Sequence, residues 1–277
     1  TNSPRDQVDW FSVTFKDASR KEYLYNNQWF KTEQILEEIV IKNADNFIDT
    51  IIRVHHGPIV YDRDYLSNHA KVNLAMRWIA HDESTTFKAL FHFNKANNYD
   101  EFVEGLRFFS GPPQNILYSD VKGNIALNLP GKFPVKWPGQ GKFILDGSDP
   151  DSEWKDYIPF EHRLERYNHP QGFLSSANQF PVDRATYPYY VYSHRFEHYR
   201  NRRVNDRLMT MQNIKPEDLM DLQNDNFNYI ASEILPYLLS QLDTLSLNED
   251  QNKFFDELQN WDYFNHPNLK APTHFEL

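Results

Sequence analysis

The sequence contains no cysteine, which excludes a disulfide framework and any metal site built from thiolates. It has no apolar run near the ~20 residues that a helix needs to span a bilayer. Basic residues are also few: the net charge is −10, and no basic run exceeds Arg200-Asn201-Arg202-Arg203. Proteins that bind nucleic acid by neutralising phosphates need a basic surface, so nucleic acid is excluded as a partner.

Hydrophobic residues make up 40% of the 277 residues and aromatic residues 16%, which excludes a disordered chain. This length supports a sizeable core, in one large domain or two small ones. Alternating apolar residues and turn signals predict six strands in the first 80 residues or so. They are predicted at 7–15, 22–25, 35–41, 47–55, 59–61 and 72–78.

Capping residues then predict helices. Ser84-Thr85-Thr86 begins a helix through residue 96, and Asp100 caps a second helix over 101–109. A hairpin about Lys122-Gly123 joins strands at 116–120 and 124–128, and residues 129–152 are predicted to form a long loop. Residues 173–177 suit a short buried strand. Further helices start at Pro216, run over 229–245, and run over 246–261 from a capping box at Ser246.

The predicted fold class is therefore α+β. A largely antiparallel sheet comes from residues 7–78 and 114–128, with two helices within 85–109. Residues 1–214 form this β-rich core, and residues 215–277 form a helical region of the same domain.

Two segments carry candidate chemistry. Asp6, the Val8 carbonyl and Asp9 offer the oxygens that Ca²⁺ prefers, but they supply half a site, and two solvated aspartates are the favoured interpretation of these residues alone. Asn178 follows the predicted strand at 173–177. A carboxamide there can stabilise an oxyanion without titrating, although a turn-former or a satisfied polar residue is the favoured interpretation of the residue type alone. His55-His56 is read as structural, because adjacent residues on a regular strand point to opposite faces.

Seven segments, taken in order, resemble the β-chain of the penicillin acylase family, which are N-terminal-nucleophile (Ntn) amidohydrolases. Each segment is a weak signal alone, and their order over about ninety residues carries the resemblance. The segments are 118–125 (YSDVKGNI), 131–134 (GKFP), Trp154 with 158–161 (IPFE), 168–173 (NHPQGF), Ala177-Asn178, 187–189 (YPY) and 202–204 (RRV).

The resemblance implies an internal fragment of a β-chain within a four-layer αββα sandwich. The family's nucleophile is a serine at the mature N-terminus, and the resemblance places it outside this chain, so Thr1 is not expected to be the nucleophile. The Asn2 backbone N–H and the Asn178 side chain correspond to the oxyanion donors. Arg203 corresponds to an arginine that holds this network together. The isolated fragment is expected to be inactive.

The resemblance also implies a structural calcium site at Asp6, the Val8 carbonyl, Asp9 and a carbonyl near Lys142. A further aspartate ligand of the family falls near Val191, where this sequence has none, and another ligand comes from the α-chain. The site is therefore incomplete here. The implied partners are a small N-acyl amide substrate, the α-chain and the rest of the β-chain. The substrate classes are β-lactam side chains and acyl homoserine lactones, and the implied location is the bacterial periplasm or exterior.

Two alternatives remain open on the residues alone. Glu153, Asp156 and Glu161 are candidates for a carboxylate-pair glycoside hydrolase. The aromatic segment 187–192 suits the surface of a binding domain, although packing in the core or a pocket wall is the favoured interpretation. If the chain is a piece of a sandwich, its uncovered apolar faces should favour self-association or partner chains.

Overall fold

The computed structural model describes residues 1–61, 73–191 and 198–276. The chain divides into two compact units. The sheet unit comprises Thr1–Leu174 and Phe180–Phe196, and the helical unit comprises Ser175–Gln179 and Glu197–Leu277. The sequence-based division at residues 214 and 215 therefore differs from that of the structure, where most of the helical unit begins at Glu197 and a short segment around Asn178 joins it.

The sheet unit begins with seven strands. They are β1 (Val8–Ser12), β2 (Glu22–Tyr25), β3 (Gln28–Lys31), β4 (Glu33–Ile39), β5 (Phe47–Val54), β6 (Gly57–Tyr61) and β7 (Leu74–Trp78). Two helices and four more strands follow: α1 (Thr86–Lys95), α2 (Tyr99–Leu106), β8 (Ile116–Ser119), β9 (Ile125–Leu129), β10 (Leu145–Asp146) and β11 (Leu164–Tyr167). The strands predicted between residues 7 and 128 and both predicted helices are thus present with shifted ends, and β3, β10 and β11 are additional.

Most pairing in the sheet unit is antiparallel. The largest sheet has the order β10-β1-β7-β6-β5-β4, in which only β10 runs parallel to β1 among the described pairs. A second sheet has the order β11-β9-β8, and β2 pairs with β3. The turn-forming segment Asn43–Asn46 lies in the β4–β5 connection, and the predicted hairpin at Lys122-Gly123 corresponds to the β8–β9 connection. The 129–152 segment is mostly irregular, as predicted, and contributes β10.

Strand β1 has its buried face on the odd-numbered residues. Phe11 lies in a core cluster with Val13, Tyr23, Val54, Ala75 and Leu145. Asp9 occupies the same face two residues earlier and is only 1% exposed. A carboxylate on the core face of a strand requires a partner, because burying an unpaired charge costs several kcal/mol.

The helices α1 and α2 pack on each other but leave apolar surface open. Phe87 on α1 is 88% exposed and Leu36 on β4 is 70% exposed. The cap of α2 is Asn98, whose side chain accepts a hydrogen bond from the Glu101 N–H at 3.0 Å. The sequence-based choice of Asp100 as this cap was therefore wrong, since Asp100 lies in the first turn. Self-association through the exposed faces stays a prediction.

The helical unit contains α3 (Tyr199–Thr210), α4 (Pro216–Gln223), α5 (Tyr229–Ser240), α6 (Glu249–Gln259) and α7 (Ala271–Glu276). Its core is formed by Ala231, Leu235, Trp261 and Ala271. Pro216 occupies the first turn of α4, as predicted. The capping box of α6 starts at Asn248, so the predicted start at Ser246 was two residues early. Across the described ranges, no helix combines the length and the hydrophobicity that crossing a bilayer requires.

The predicted strand at 173–177 is absent from the structure: these residues pair with no neighbouring strand. The segment instead runs irregularly into Asn178, whose φ of 63° lies in the left-handed region. Asparagine tolerates this conformation better than most residues. The turn-forming alternative for Asn178 therefore describes its backbone.

Candidate functional site

The Lys136 side chain reaches all three oxygens that the resemblance assigned to calcium at the start of β1. Its Nζ lies 2.5 Å from Asp6 Oδ2, 2.9 Å from Asp9 Oδ2 and 3.2 Å from the Val8 carbonyl oxygen. The side chain of Lys136 is 3% exposed and that of Asp9 is 0% exposed. These four residues therefore form a buried ionic cluster, which we call the Lys136 cluster.

Extended backbone and one aromatic ring hold the Lys136 cluster. Lys136 forms a bridge with Tyr190, two residues after Pro134 forms one with Tyr157. Trp154 donates its indole N–H to Asp9 Oδ2 at 2.5 Å. Burial raises the pKa of Asp9 above its usual value, and the ammonium of Lys136 and the indole hydrogen bond oppose that rise.

The calcium assignment fits this arrangement poorly. Calcium takes six to eight oxygens at about 2.3–2.6 Å, and the three oxygens of the predicted set already surround an ammonium. Lys142 lies in a turn in which its own N–H donates to Gly139. Val191 is a buried apolar residue. The roles of Asp6, Val8, Asp9 and Lys142 as calcium ligands stay predictions.

The beginning of the chain is held against residues 113–115. Asn2 forms an antiparallel bridge with Gln114, and Asn115 donates its side-chain amide to the Asn2 carbonyl at 3.3 Å. The amine of Thr1 donates to the Asn115 carbonyl at 3.2 Å. The backbone around Asn2 is therefore positioned by strand-like pairing in the sheet unit, and its role as an oxyanion donor stays a prediction.

The carboxamide of Asn178 is oriented by an arginine that the sequence analysis did not single out. Arg200, at the start of α3, donates from Nη2 to Asn178 Oδ1 at 2.8 Å. The preceding turn is closed by Gln179, whose Oε1 accepts from the Ala177 N–H at 2.9 Å. Because Oδ1 faces the guanidinium, the amide nitrogen of Asn178 lies on the opposite side of the carboxamide. The signal was present in the basic run 200–203, which the resemblance used only for Arg203.

Arg203 is engaged in a different contact. It binds Asp225 through two hydrogen bonds, Nε to Oδ1 at 2.9 Å and Nη2 to Oδ2 at 2.8 Å. Its guanidinium also lies 4.2 Å from the centre of the Phe227 ring. Burial alone would raise the pKa of Asp225, but the hydrogen bonds from Arg203 and Phe227 outweigh it, and the pKa lies below its usual value. These contacts give Arg203 a structural role in the helical unit, and its predicted catalytic role remains untested.

The adjacent histidines differ from the sequence-based description. His55 and His56 lie in the turn between β5 and β6, with ring centres 3.7 Å apart, so the argument from a regular strand was wrong. Ligand atoms of His55, His56 and Glu153 lie within 4.8 Å of one another, close enough to hold a metal ion. Three of the four ring nitrogens already have hydrogen-bond partners, which are Tyr23, Glu153 and the Gly147 carbonyl. Most of the ring nitrogens of this cluster are thus engaged in hydrogen bonds within the protein.

The carboxylates of the glycosidase alternative are engaged separately. Glu153 bonds to His55 at 2.8 Å, Glu161 accepts from Arg107 at 2.9 Å, and Asp156 accepts from the Tyr157 N–H at 2.7 Å. The hydrogen bond from Arg107 lowers the pKa of Glu161, whereas a glycosidase acid needs a raised one. This arrangement gives no support to a carboxylate-pair site.

The aromatic segment is packed inside the sheet unit. Tyr189 lies against the cluster of Leu129, Phe133 and Ile158, and its hydroxyl bonds to His162 at 2.6 Å. Tyr187 donates to the His162 carbonyl at 3.1 Å. These contacts agree with the packing interpretation rather than with a binding surface. Tyr192 lies outside the described residues.

Comparison with known proteins supports the resemblance to the penicillin acylase family. Residues 1–277, which is the whole chain, match the family described as penicillin amidase. The chain is 24% identical over 182 residues to the acyl-homoserine lactone acylase QuiP of Pseudomonas fluorescens, covering 65% of this chain and 22% of that protein. It is 23% identical over 185 residues to the penicillin acylase 2 proenzyme of Pseudomonas sp. (strain SE83), covering 67% of this chain and 23% of that protein.

A solved structure has a similar fold. The thermostable penicillin G acylase from Alcaligenes faecalis superposes with a TM-score of 0.74 at 21% identity, covering 96% of this chain and 48% of that chain. This similarity confirms the predicted fold class, a part of an Ntn-hydrolase fold. The chain spans about a fifth of the length of the curated relatives it matches. The resemblance of the seven segments is also confirmed, and the chain belongs to the penicillin amidase family.

Proposed function

We propose that this chain is part of an amidohydrolase that cleaves small N-acyl amides of the acyl-homoserine lactone or β-lactam side-chain class. The observation that carries the proposal is the family match over all 277 residues. The names of the relatives support the substrate class, since they include acyl-homoserine lactone acylases and a penicillin acylase. The hydrogen bond from Arg200 to Asn178 supports the chemistry.

Asn178 acts in this proposal as an oxyanion donor. Arg200 holds its carboxamide oxygen, so the amide N–H groups are directed away from the guanidinium. A neutral amide stabilises the negative oxygen of a tetrahedral intermediate at any ordinary pH. Such a donor contributes about 3 kcal/mol to the transition state when it is preorganised. The Asn2 backbone N–H is proposed as a donor from its correspondence to the family position.

The remaining groups come from elsewhere in the protein. A serine at a mature N-terminus, outside these 277 residues, attacks the acyl carbonyl, and its own α-amine takes the hydroxyl proton. The C–N bond then breaks, the leaving amine takes that proton, and water hydrolyses the acyl ester. The α-chain and the rest of the β-chain are proposed partners. Location in the periplasm or outside the cell is proposed from the resemblance.

The experiment compares two asparagines in the intact protein. Asn178→Ala should lower kcat on N-acyl homoserine lactones by about 10²–10³, with little change in KM, because the donor acts on the transition state. Asn213→Ala is the matched control: Asn213 also has a left-handed backbone, with φ 52°, and it is exposed. Full kcat in Asn178→Ala would refute the assignment. The ratio of kcat/KM for a lactone and for penicillin G then decides the substrate class.

A further inference from the structure

We propose that the ammonium of Lys136 is the built-in cation of the site at the start of β1, and that this site therefore functions without a metal ion. An ammonium has three N–H donors and no acceptor. Lys136 has three oxygen partners, from Asp6, Asp9 and the Val8 carbonyl. Donors and acceptors are therefore matched in number, and the lysine is satisfied by these groups alone.

Position excludes simultaneous binding of a metal ion. The lysine nitrogen lies 2.5–3.2 Å from the three oxygens. A calcium ion bound to the same oxygens needs contacts of about 2.3–2.6 Å, so it would have to occupy nearly the same point as the nitrogen. The Lys136 side chain is 3% exposed, and its backbone is fixed by the bridge to Tyr190. Moving the ammonium aside would leave the carboxylates of Asp6 and Asp9 without their counter-charge.

Charge supports the same conclusion. The cluster contains two carboxylates and one ammonium, and the Trp154 N–H adds a hydrogen bond to Asp9. The guanidinium of Arg77 lies 4.8 Å from the centre of the Trp154 ring. Among the described residues, Asp9 Oδ1 is a buried oxygen of the cluster that has no hydrogen-bond partner. One oxygen supplies far less than the six to eight that calcium requires.

The consequence is that a lysine 130 residues from Asp6 in the sequence joins two distant segments of the sheet unit. Breaking a buried pair by removing one partner is strongly destabilising, because the other charge is left buried. The structural role that a calcium ion was predicted to serve is thus performed by a covalently attached cation. The stability of the protein should not depend on calcium concentration.

The first test uses the unmodified intact protein. Elemental analysis after purification in calcium-free buffer should find no stoichiometric calcium, and thermal unfolding should give the same Tm in excess EDTA and in millimolar CaCl₂. A retained equivalent of calcium, together with a Tm that falls by several degrees in EDTA, would overturn the proposal. This measurement needs no mutant and is independent of the substrate.

The second test replaces the cation. Lys136→Met should lower Tm by roughly 10 °C, because two carboxylates lose their counter-charge. Lys132→Met is the matched control: Lys132 pairs with Asp82 at 3.3 Å but is 39% exposed, so its loss should lower Tm much less. The double variant Lys136→Met with Asp9→Asn should regain much of the lost Tm. Equal effects of the two lysine variants would contradict the proposal. If Lys136→Met does not fold, recovery of folding in the double variant gives the same answer.

Discussion

The polar side chains around β1 and those around Asn178 and Arg200 differ in their burial and in their partners. Around β1, the side chains of Asp9, Lys136 and His56 are almost completely buried, and each is paired within the protein. Around α3, Asn178 is half-buried, and its oxygen is held by Arg200 so that the opposite side of the amide is presented. The charges around β1 are paired with each other and stabilise the fold, whereas the contact with Arg200 orients Asn178 as a neutral hydrogen-bond donor.

This difference leads to separable expectations. Changes around β1 should alter the free energy of unfolding and leave the catalytic rate of folded molecules unchanged. Changes at Asn178 or Arg200 should alter kcat with smaller effects on unfolding. A β1 variant that lowers kcat, or an Asn178 or Arg200 variant that lowers only the free energy of unfolding, would show that the distinction is wrong.

His56 should give a large and pH-dependent effect on stability. It is 3% exposed and stacks on Phe11 with ring centres 3.9 Å apart, and burial lowers its pKa from 6.5 to about 4. Because the folded state favours the neutral ring, the stabilisation is complete above pH 6.5 and is lost as pH falls toward 4. The loss should reach about 3 kcal/mol, at 1.36 kcal/mol per pKa unit.

Urea unfolding from pH 7 to pH 4 measures this effect. The free energy of unfolding of His56→Gln should fall less steeply than that of the unmodified protein. The exposed His169→Gln variant should keep the original slope. Parallel slopes for all three proteins would show that the pKa of His56 is the same in the folded and unfolded states.

The ion pair of Arg203 should give the next effect. Asp225→Asn weakens a bidentate pair in which the side chains of Arg203 and Asp225 are 21% and 10% exposed. We expect the free energy of unfolding to fall by about 2 kcal/mol, since these groups are partly screened. The kcat of the folded protein should not change. A fall in kcat without a change in stability would instead place Arg203 in the catalytic network, as the resemblance predicted.

Arg200 tests the other side of the comparison. Arg200→Gln removes the charged donor to Asn178 Oδ1, so the orientation of the carboxamide should be less well fixed. We expect kcat to fall about tenfold, which is about 1.4 kcal/mol in the barrier, with KM unchanged. Arg202→Gln is the control, because Arg202 pairs with the exposed Glu233. Equal kinetics for both variants would remove Arg200 from a positioning role.

Local sequence patterns predicted many strands and helices of this fold, but they did not predict the long-range contacts of Asp6 and Asn178. Alternation predicted the strands of the large sheet, because one face of each strand is buried. The strand predicted at 173–177 was wrong, because the small residues Ser175-Ser176-Ala177 suit a strand but no neighbouring strand pairs with them. The partner of Asp6 lies 130 residues away at Lys136, and no local periodicity links them. Arg200 lies in the basic run 200–203 that the sequence showed, but only the structure shows that Arg200 rather than Arg203 contacts Asn178.

Glu161 should give the smallest effect and closes the glycosidase alternative. Its carboxylate is exposed and paired with Arg107, whose hydrogen bond lowers the pKa of Glu161. A general acid for glycoside cleavage needs the opposite shift, so that it stays protonated near neutral pH. Glu161→Gln should therefore change neither Tm nor amide hydrolysis measurably, because exposed ion pairs contribute little. Loss of activity in Glu161→Gln comparable to that in Asn178→Ala would place the reacting groups around a carboxylate and reverse the assignment of chemistry to the helical unit.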